Sequence, residues 1–351
     1  MAVMEIIAGL AGLTAADLLA AKIFYKLHRN ERRPDAIYFV TTADGWRISL
    51  SRYNPPAGAA REQPVVCCHG LSGNHEGFDL TERTSLARTL AAAGHPTFLL
   101  DLRGAGHSDK GGPLRPKPLR WRLSDHYQYD APAAVDKVLA LTGADRVHWI
   151  GHSMGGMTAY AFLQGPLAAK VSRCVILASP STFGHLKILR YLAPLVKWLP
   201  GVPLRILSQS VAPLFEFFKP LQTIGGLVAL APGVAQVAAV NVDDQTPMSL
   251  LLDFARFIEA GRFIGDDGRD LLDGLRNVRT PMLFMVGDAD QTAKSGSVRA
   301  AYEACGSPEK KYVALGPRHG QQGEYGHLTL LLGPHVQEEV YPQIIEWLSD
   351  R

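Results

Sequence analysis

The chain is poor in the features that stitch or anchor a fold from outside its core. Its 351 residues include only four cysteines, Cys67, Cys68, Cys174 and Cys305. They show no C-x-x-C spacing, which argues against a structural metal and against a disulfide framework. Three of them lie in apolar, strand-like runs where a free thiol behaves as a small hydrophobe, and the set points to a reducing, cytoplasmic setting. Net charge is equally slight. Lys and Arg total 36 against 33 Asp and Glu, leaving +3; with no nucleic-acid motif and no basic stripe, that balance excludes DNA or RNA as the partner. The sequence also has no internal repeat and no low-complexity segment, so solenoids and arrays are excluded.

No apolar run is long and clean enough to cross a bilayer. Residues 1–27 are rich in Ala, Leu and Ile, but Glu5, Asp17 and Lys22 interrupt them before the basic cluster Lys26, His28, Arg29, Arg32 and Arg33. A spanning helix needs ~20 predominantly apolar residues, and charges near its centre are costly. The stretch also lacks the basic start of a secretory signal. Residues 1–33 are therefore expected to form a helix that touches a membrane surface with its basic end toward anionic headgroups, packs on a second copy of the chain, or docks on its own domain.

What is present is a hydrophobic content of 47%, enough for a large core. Ala36–Thr42 and Trp46–Tyr53 flank an Asp44-Gly45 turn and read as a β-hairpin. Pro64–Cys68 and Pro96–Asp101 are short continuous apolar runs of the kind buried on both faces of a sheet. A helix is expected from about Leu80 to Ala93 between them. Asp130-Ala131-Pro132 is expected to open another, with Asp130 as N-cap, that runs to Leu141. Strands follow at 146–150, 174–180, 281–287 and 311–315, with helices at about 295–305 and 336–348. Strands alternating with helices imply a doubly wound, mostly parallel sheet, the α/β class. Between 181 and 270 the pattern changes to apolar helical stretches with Pro and Gly breaks and little strand signal. This segment is expected to be an inserted helical cap, dividing the core into 34–180 and 271–351. The run Lys110–Arg122, with five basic residues and no acid, reads as a solvated loop or as an attractor for substrate or membrane.

The organising stretch is Gly151-His152-Ser153-Met154-Gly155, preceded by a strand pattern and followed by a helical one. This is the G-x-S-x-G nucleophile elbow in the strand–turn–helix setting it requires. A serine becomes a useful nucleophile only when held clear of the backbone, near a base and at a helix N-terminus, where free N–H groups favour developing negative charge. Ser153 needs a histidine to take its proton and a carboxylate to orient that histidine. The acid should follow the 282–286 strand, where Asp290 stands deeper in the loop than its alternative Asp288. The histidine should follow the next strand; His327, just before the last helix, is the choice and His319 the alternative, with His335 expected at the surface. An oxyanion needs two backbone N–H groups. Met154, after the nucleophile, and Leu71, after the His69-Gly70 strand end, are placed to supply them. Gly70 and His152, with His69 more a loop support than a reactant, complete the expected substrate-binding surroundings.

Taken together, His69-Gly70-Leu71, Asp101-Leu102-Arg103-Gly104-Ala105-Gly106-His107-Ser108, Gly151–Gly156, Gly287-x-x-Asp290 and Tyr325-Gly326-His327-Leu328 resemble the α/β-hydrolase superfamily over nearly all of residues 36–350. His-Gly-Leu and the Gly-His-Leu before the last helix look like the acid-lipase and esterase branch. That likeness implies hydrolysis of hydrophobic, lipid-like carboxylic esters by a Ser153–Asp290–His327 triad with no metal or organic cofactor. Class III polyhydroxyalkanoate synthases are similar in outline but use cysteine at the elbow, where this chain has Ser153. An acyltransferase on the same scaffold, and a receptor that has kept the fold without catalysis, are the rival expectations.

Overall fold

In the computed structural model, residues 23, 25–60, 62–112, 114–185, 201–202, 230 and 233–349 are described. Most of the expected N-terminal helix and much of the expected cap, namely 1–22, 24, 186–200, 203–229 and 231–232, lie outside them.

The antiparallel hairpin of β1 (Ala36–Thr41) and β2 (Arg47–Tyr53) forms around Asp44-Gly45. β3 (Val65–Cys68), β4 (Thr97–Asp101), β5 (Val147–His152) and β6 (Val171–Leu177) follow, and β9 (Met282–Gly287) and β10 (Lys310–Leu315) complete an eight-stranded sheet of order β1-β2-β4-β3-β5-β6-β9-β10. Only the pairs made by β2 are antiparallel; the other five are parallel. The two-residue strands β7 (Gly201–Val202) and β8 (Thr246–Pro247) pair apart from it. Every residue of β3, β4, β5 and β9 is buried, whereas β1 alternates half-buried with exposed. Each large apolar side chain so buried contributes ~1.5–3 kcal/mol, so the inner strands and not the edge strand β1 carry the sheet. Register then aligns the functional ends: Cys68 lies beside Gly151, His152 beside Leu177, Leu177 beside Met285, and Gly287 beside Leu315. The loops after β3, β5, β9 and β10 consequently leave along one edge.

The crossover helices are α1 (Leu86–Ala92), α2 (Ala131–Thr142), α3 (Met154–Phe162) and, after β9, α6 (Ser295–Ala304); α7 (Tyr341–Ser349) closes the chain. Three expectations shift. The helix expected from Leu80 begins at Leu86, because Ser85 caps it by accepting the Arg88 N–H and residues 81–84 are spent on a turn. Asp130 does not cap α2: the chain enters already coiled from Leu123 through a wide turn at His126–Asp130, Asp130 is itself helical, and its carboxylate holds Arg103 and His126. The single helix expected at 336–348 is broken into Val336–Glu339 and α7, where Pro342 has no N–H to continue the first piece.

Between β6 and β9 the described residues include α4 (Val234–Asn241) and α5 (Met248–Ala260). Phe183, Phe254, Phe257 and Phe263 meet here edge-on or tilted, with ring centroids 5.1–6.4 Å apart. The basic run at 110–122 is partly spent on this segment. Lys110 pairs with Asp244, and Arg122 with Asp253 and Asp266. Further upstream, Asn30 donates its N–H to the Asn241 side chain and Arg32 pairs with Asp79, so residues 28–33 are fastened to the body of the chain. All four cysteines are buried, free thiols. Among the described residues, no helix is long and apolar enough to cross a membrane.

Candidate functional site

Ser153 sits where β5 turns into α3. Its backbone is forced to φ 54°, ψ −117°, a conformation that costs a non-glycine residue of order 1–3 kcal/mol and persists only when the surroundings impose it. They do so by close packing. A Cβ on Gly155 would lie 2.2 Å from the Cys68 carbonyl oxygen, so β3 and the first turn of α3 touch backbone to backbone. The Ser153 N–H donates to the Leu177 carbonyl, tying the elbow to β6. Ser153 itself is 9% exposed.

The hydroxyl meets His327. Ser153 Oγ is 2.9 Å from His327 Nε2, and His327 Nδ1 is 2.9 Å from Asp290 Oδ2. The second oxygen of Asp290 accepts the N–H groups of Thr292 and Ala293, both at 2.7 Å. Burial alone would raise this carboxyl, but the His327 charge and the donated hydrogen bonds hold it below its ordinary value. Asp290 is thus an anion whose acceptor sites are filled on one side and aimed at the imidazole on the other. The acid and histidine loops are bound together as well, by the Ala289 N–H donating to the Tyr325 carbonyl.

The alternatives Asp288 and His319 also find one another, at 3.1 Å, but His319 is 43% exposed and neither bonds to Ser153. His335 stands at the start of the Val336–Glu339 turn.

Gly70 and Leu71 cover the serine. A Cβ on Gly70 would fall 3.0 Å from the Ser153 Cβ and 3.2 Å from His152 Nδ1. His69 Nε2 accepts the Leu102 N–H, so its Nδ1 carries the proton and donates to the Gly70 carbonyl at 2.8 Å; burial keeps this ring's pKa below that of free histidine. Gly73 N–H donates to the same carbonyl. The Gly70 C=O and the Leu71 N–H belong to one planar trans peptide and point in opposite directions, so fixing the carbonyl fixes the N–H. Leu71 N–H has no acceptor among the described residues. Met154 N–H lies in the first turn of α3, where helices leave donors unpaired.

His152 was expected against substrate, yet its ring is spent on the backbone. Burial first, and the charge of His327 second, push it down to about 3, so at neutral pH the ring is uncharged and its Nε2–H donates to the His327 carbonyl at 2.9 Å. Sequence reasoning had no signal for this, because the partner lies 175 positions away. Sequence patterning likewise gave no role to the side chain of Asp101, whose buried carboxylate accepts from His75 N and Nδ1, Ser49 Oγ and His107 N. His75, Asp101 and His107 are the described residues whose side chains together could ligate a metal. With both Asp101 oxygens already filled, they act as a brace under the loop after β4.

The family described as alpha/beta hydrolase fold matches residues 63–324. The chain belongs to that family. Within it, this hydrolase-fold chain is 27% identical over 358 aligned positions to a probable lipase of Schizosaccharomyces pombe, covering 89% of this chain and 76% of the other. It is 32% identical over 168 to a Caenorhabditis elegans lipase, covering 44% and 41%. A human lipase, lipase member K, is 32% identical over 152, covering 41% and 38%. The match thus spans about two fifths of the length of the latter two relatives. Among solved structures, a Pseudomonas aeruginosa hydrolase superposes with a TM-score of 0.58 at 16% identity over 90% of this chain and 99% of that one. An Exiguobacterium antarcticum esterase does so at 0.54 and 18% over 89% and 99%. The hydrolase-fold chain is therefore lipase-like in sequence over the matched residues, and the fold it shares with these solved structures covers about nine tenths of it.

Proposed function

We propose that this protein hydrolyses hydrophobic carboxylic esters through an acyl-enzyme. The observation that carries this reading is the unbroken line from Ser153 Oγ through both nitrogens of His327 to Asp290, with 2.9 Å at each junction. In the first step His327 Nε2 takes the hydroxyl proton as Ser153 Oγ attacks the ester carbonyl, and Asp290 stabilises the imidazolium. The Leu71 and Met154 N–H groups receive the oxyanion. His327 then protonates the leaving alcohol, and the acyl group stays on Ser153. In the second step His327 deprotonates water, which attacks the acyl-enzyme and releases the acid, restoring the serine hydroxyl. The steps as written use three side chains, two backbone N–H groups and one water.

The substrate class is read from the segment between β6 and β9. Its apolar composition and the Phe183, Phe254, Phe257 and Phe263 cluster support a role as a cap that lines an acyl site for medium or long chains. Each methylene buried there is worth ~0.8 kcal/mol, so a few carbons decide the preference. The test is the initial rate on p-nitrophenyl esters of increasing acyl length, for the intact protein and for Ser153→Ala. Rates that rise past acetate and butyrate and drop ~10⁴-fold or more in the variant are expected. A series peaking at acetate contradicts the apolar acyl site, and an active Ser153→Ala contradicts the mechanism.

A further inference from the structure

We infer that Asp244, in the segment between α4 and α5, is the positioning residue that aims the Leu71 N–H at the reacting carbonyl. This rests on the reading of Ser153 as nucleophile and goes beyond it, because Asp244 acts here through Ser72, Asn74, Gly106 and Lys110 and not through the triad.

The argument follows three peptide planes. The Asp244 N–H donates to the Ser72 carbonyl at 2.5 Å. That carbonyl shares its plane with the Gly73 N–H, which donates to the Gly70 carbonyl at 3.1 Å. The Gly70 carbonyl in turn shares its plane with the Leu71 N–H. Because peptide planes are rigid, the orientation of the Leu71 donor is set stepwise from residue 244. The arrangement holds Ser72 at φ 56°, a left-handed conformation that a serine does not adopt without restraint. The Asp244 side chain explains why its own backbone can serve as the fixed end. Oδ2 accepts from Asn74 Nδ2 at 3.0 Å and from the Gly106 N–H at 2.8 Å, and Oδ1 accepts from Lys110 Nζ at 2.8 Å. Asn74 binds the Asn241 carbonyl of α4 with the same amide, at 2.7 Å. One carboxylate thus joins the loops after β3 and β4 to the segment that would enclose substrate. It is 3% exposed, as a fastening should be and as a residue offered to solvent or substrate would not be. Asp244 follows the last turn of α4, so a shift of that helix would be transmitted to the donor.

The experiment measures the rate at which a fluorophosphonate modifies Ser153 in the full chain, since Oγ attack on phosphorus with loss of fluoride puts the phosphonyl oxygen against the same N–H donors and needs no knowledge of the natural ester. In Asp244→Ala the rate should fall ~10- to 100-fold, below the loss seen when an oxyanion donor is deleted outright. kcat on p-nitrophenyl esters should fall by the same factor, while KM moves less than about threefold because ground-state contacts are untouched. Asp244→Asn, which keeps the backbone donor and one acceptor oxygen, should recover most of the rate; it also decides the matter if Asp244→Ala does not fold. Lys110→Ala, which leaves the buried Asp244 carboxylate without its cation, should slow the reaction in the same direction as Asp244→Ala. Asp244→Ala reacting as fast as the unaltered protein, or losing thermal stability with no change in kcat at 25 °C, would overturn the assignment. If the unaltered protein itself takes up no phosphonate at Ser153, the hydrolase reading has failed instead.

Discussion

The molecule carries two aspartate–histidine pairs at the same edge of its sheet, built from the same two loops. Asp288 and His319 stand 3.1 Å apart at the surface; Asp290 and His327 stand 2.9 Å apart, with the Asp290 side chain fully buried. Only the second pair reaches a serine. In the outer pair, Asp288 Oδ2 has no hydrogen-bond partner among the described residues and His319 is nearly half exposed. In the inner pair both carboxylate oxygens are occupied, and the histidine main chain is held by His152. The difference teaches that residue type does not make a relay. Exposed ion pairs gain little and hold no fixed geometry, whereas a buried, fully bonded carboxylate can orient an imidazole within the tolerance that proton transfer requires.

That contrast can be broken by substitution. His327→Ala should reduce ester hydrolysis ~10⁴-fold or more, and Asp290→Asn ~10³- to 10⁴-fold by favouring the wrong tautomer. His319→Ala and Asp288→Asn should stay within about threefold, as surface pairs do. Comparable losses in both pairs, measured as kcat/KM on one p-nitrophenyl ester, would show that the outer pair participates.

A smaller effect sharpens the contrast through acid stability. His152 is pushed down to about 3, as is His148, where burial again dominates and His95 and Arg173 add to it. The folded pKa lies below the unfolded value of about 6.5, so the unfolded chain binds more protons between these limits. Stability from these residues is present above pH ~6.5 and is lost as pH falls toward 3. Thermal melts from pH 7 to 4 should therefore show the unaltered protein losing more than His152→Gln, and parallel curves would contradict the neutral, donating His152.

Much of this was legible in the sequence, because sheet strands announce themselves as apolar runs and the residues of the proposed site follow them directly. Ser153, Asp290, His327, Leu71 and Met154 all stand within a few positions of a strand end, or just before a helix. The choice between Asp288 and Asp290 was less open than spacing alone suggests: the residue further from the strand is the one the loop folds inward. What stayed hidden depends on distant partners. Asp244 reaches Asn74 across 170 positions and Gly106 across 138, and no local period marks it. Asp130 misled for the same reason: its carboxylate answers to Arg103, 27 positions away, and not to the helix it precedes. Pro342 was a visible signal, and the apolar spacing of 336–348 outweighed it wrongly.

The most direct measurement is mass spectrometry of the intact and digested protein after reaction with a fluorophosphonate, for the unaltered chain, for the double variant Asp288→Asn/His319→Ala, and for His327→Ala. A single adduct on Ser153, formed at equal rates in the first two and at least ~10³-fold more slowly in the third, is the predicted result. An adduct on another residue, or equal labelling without His327, would contradict the assignment of Ser153, His327 and Asp290 as the working site.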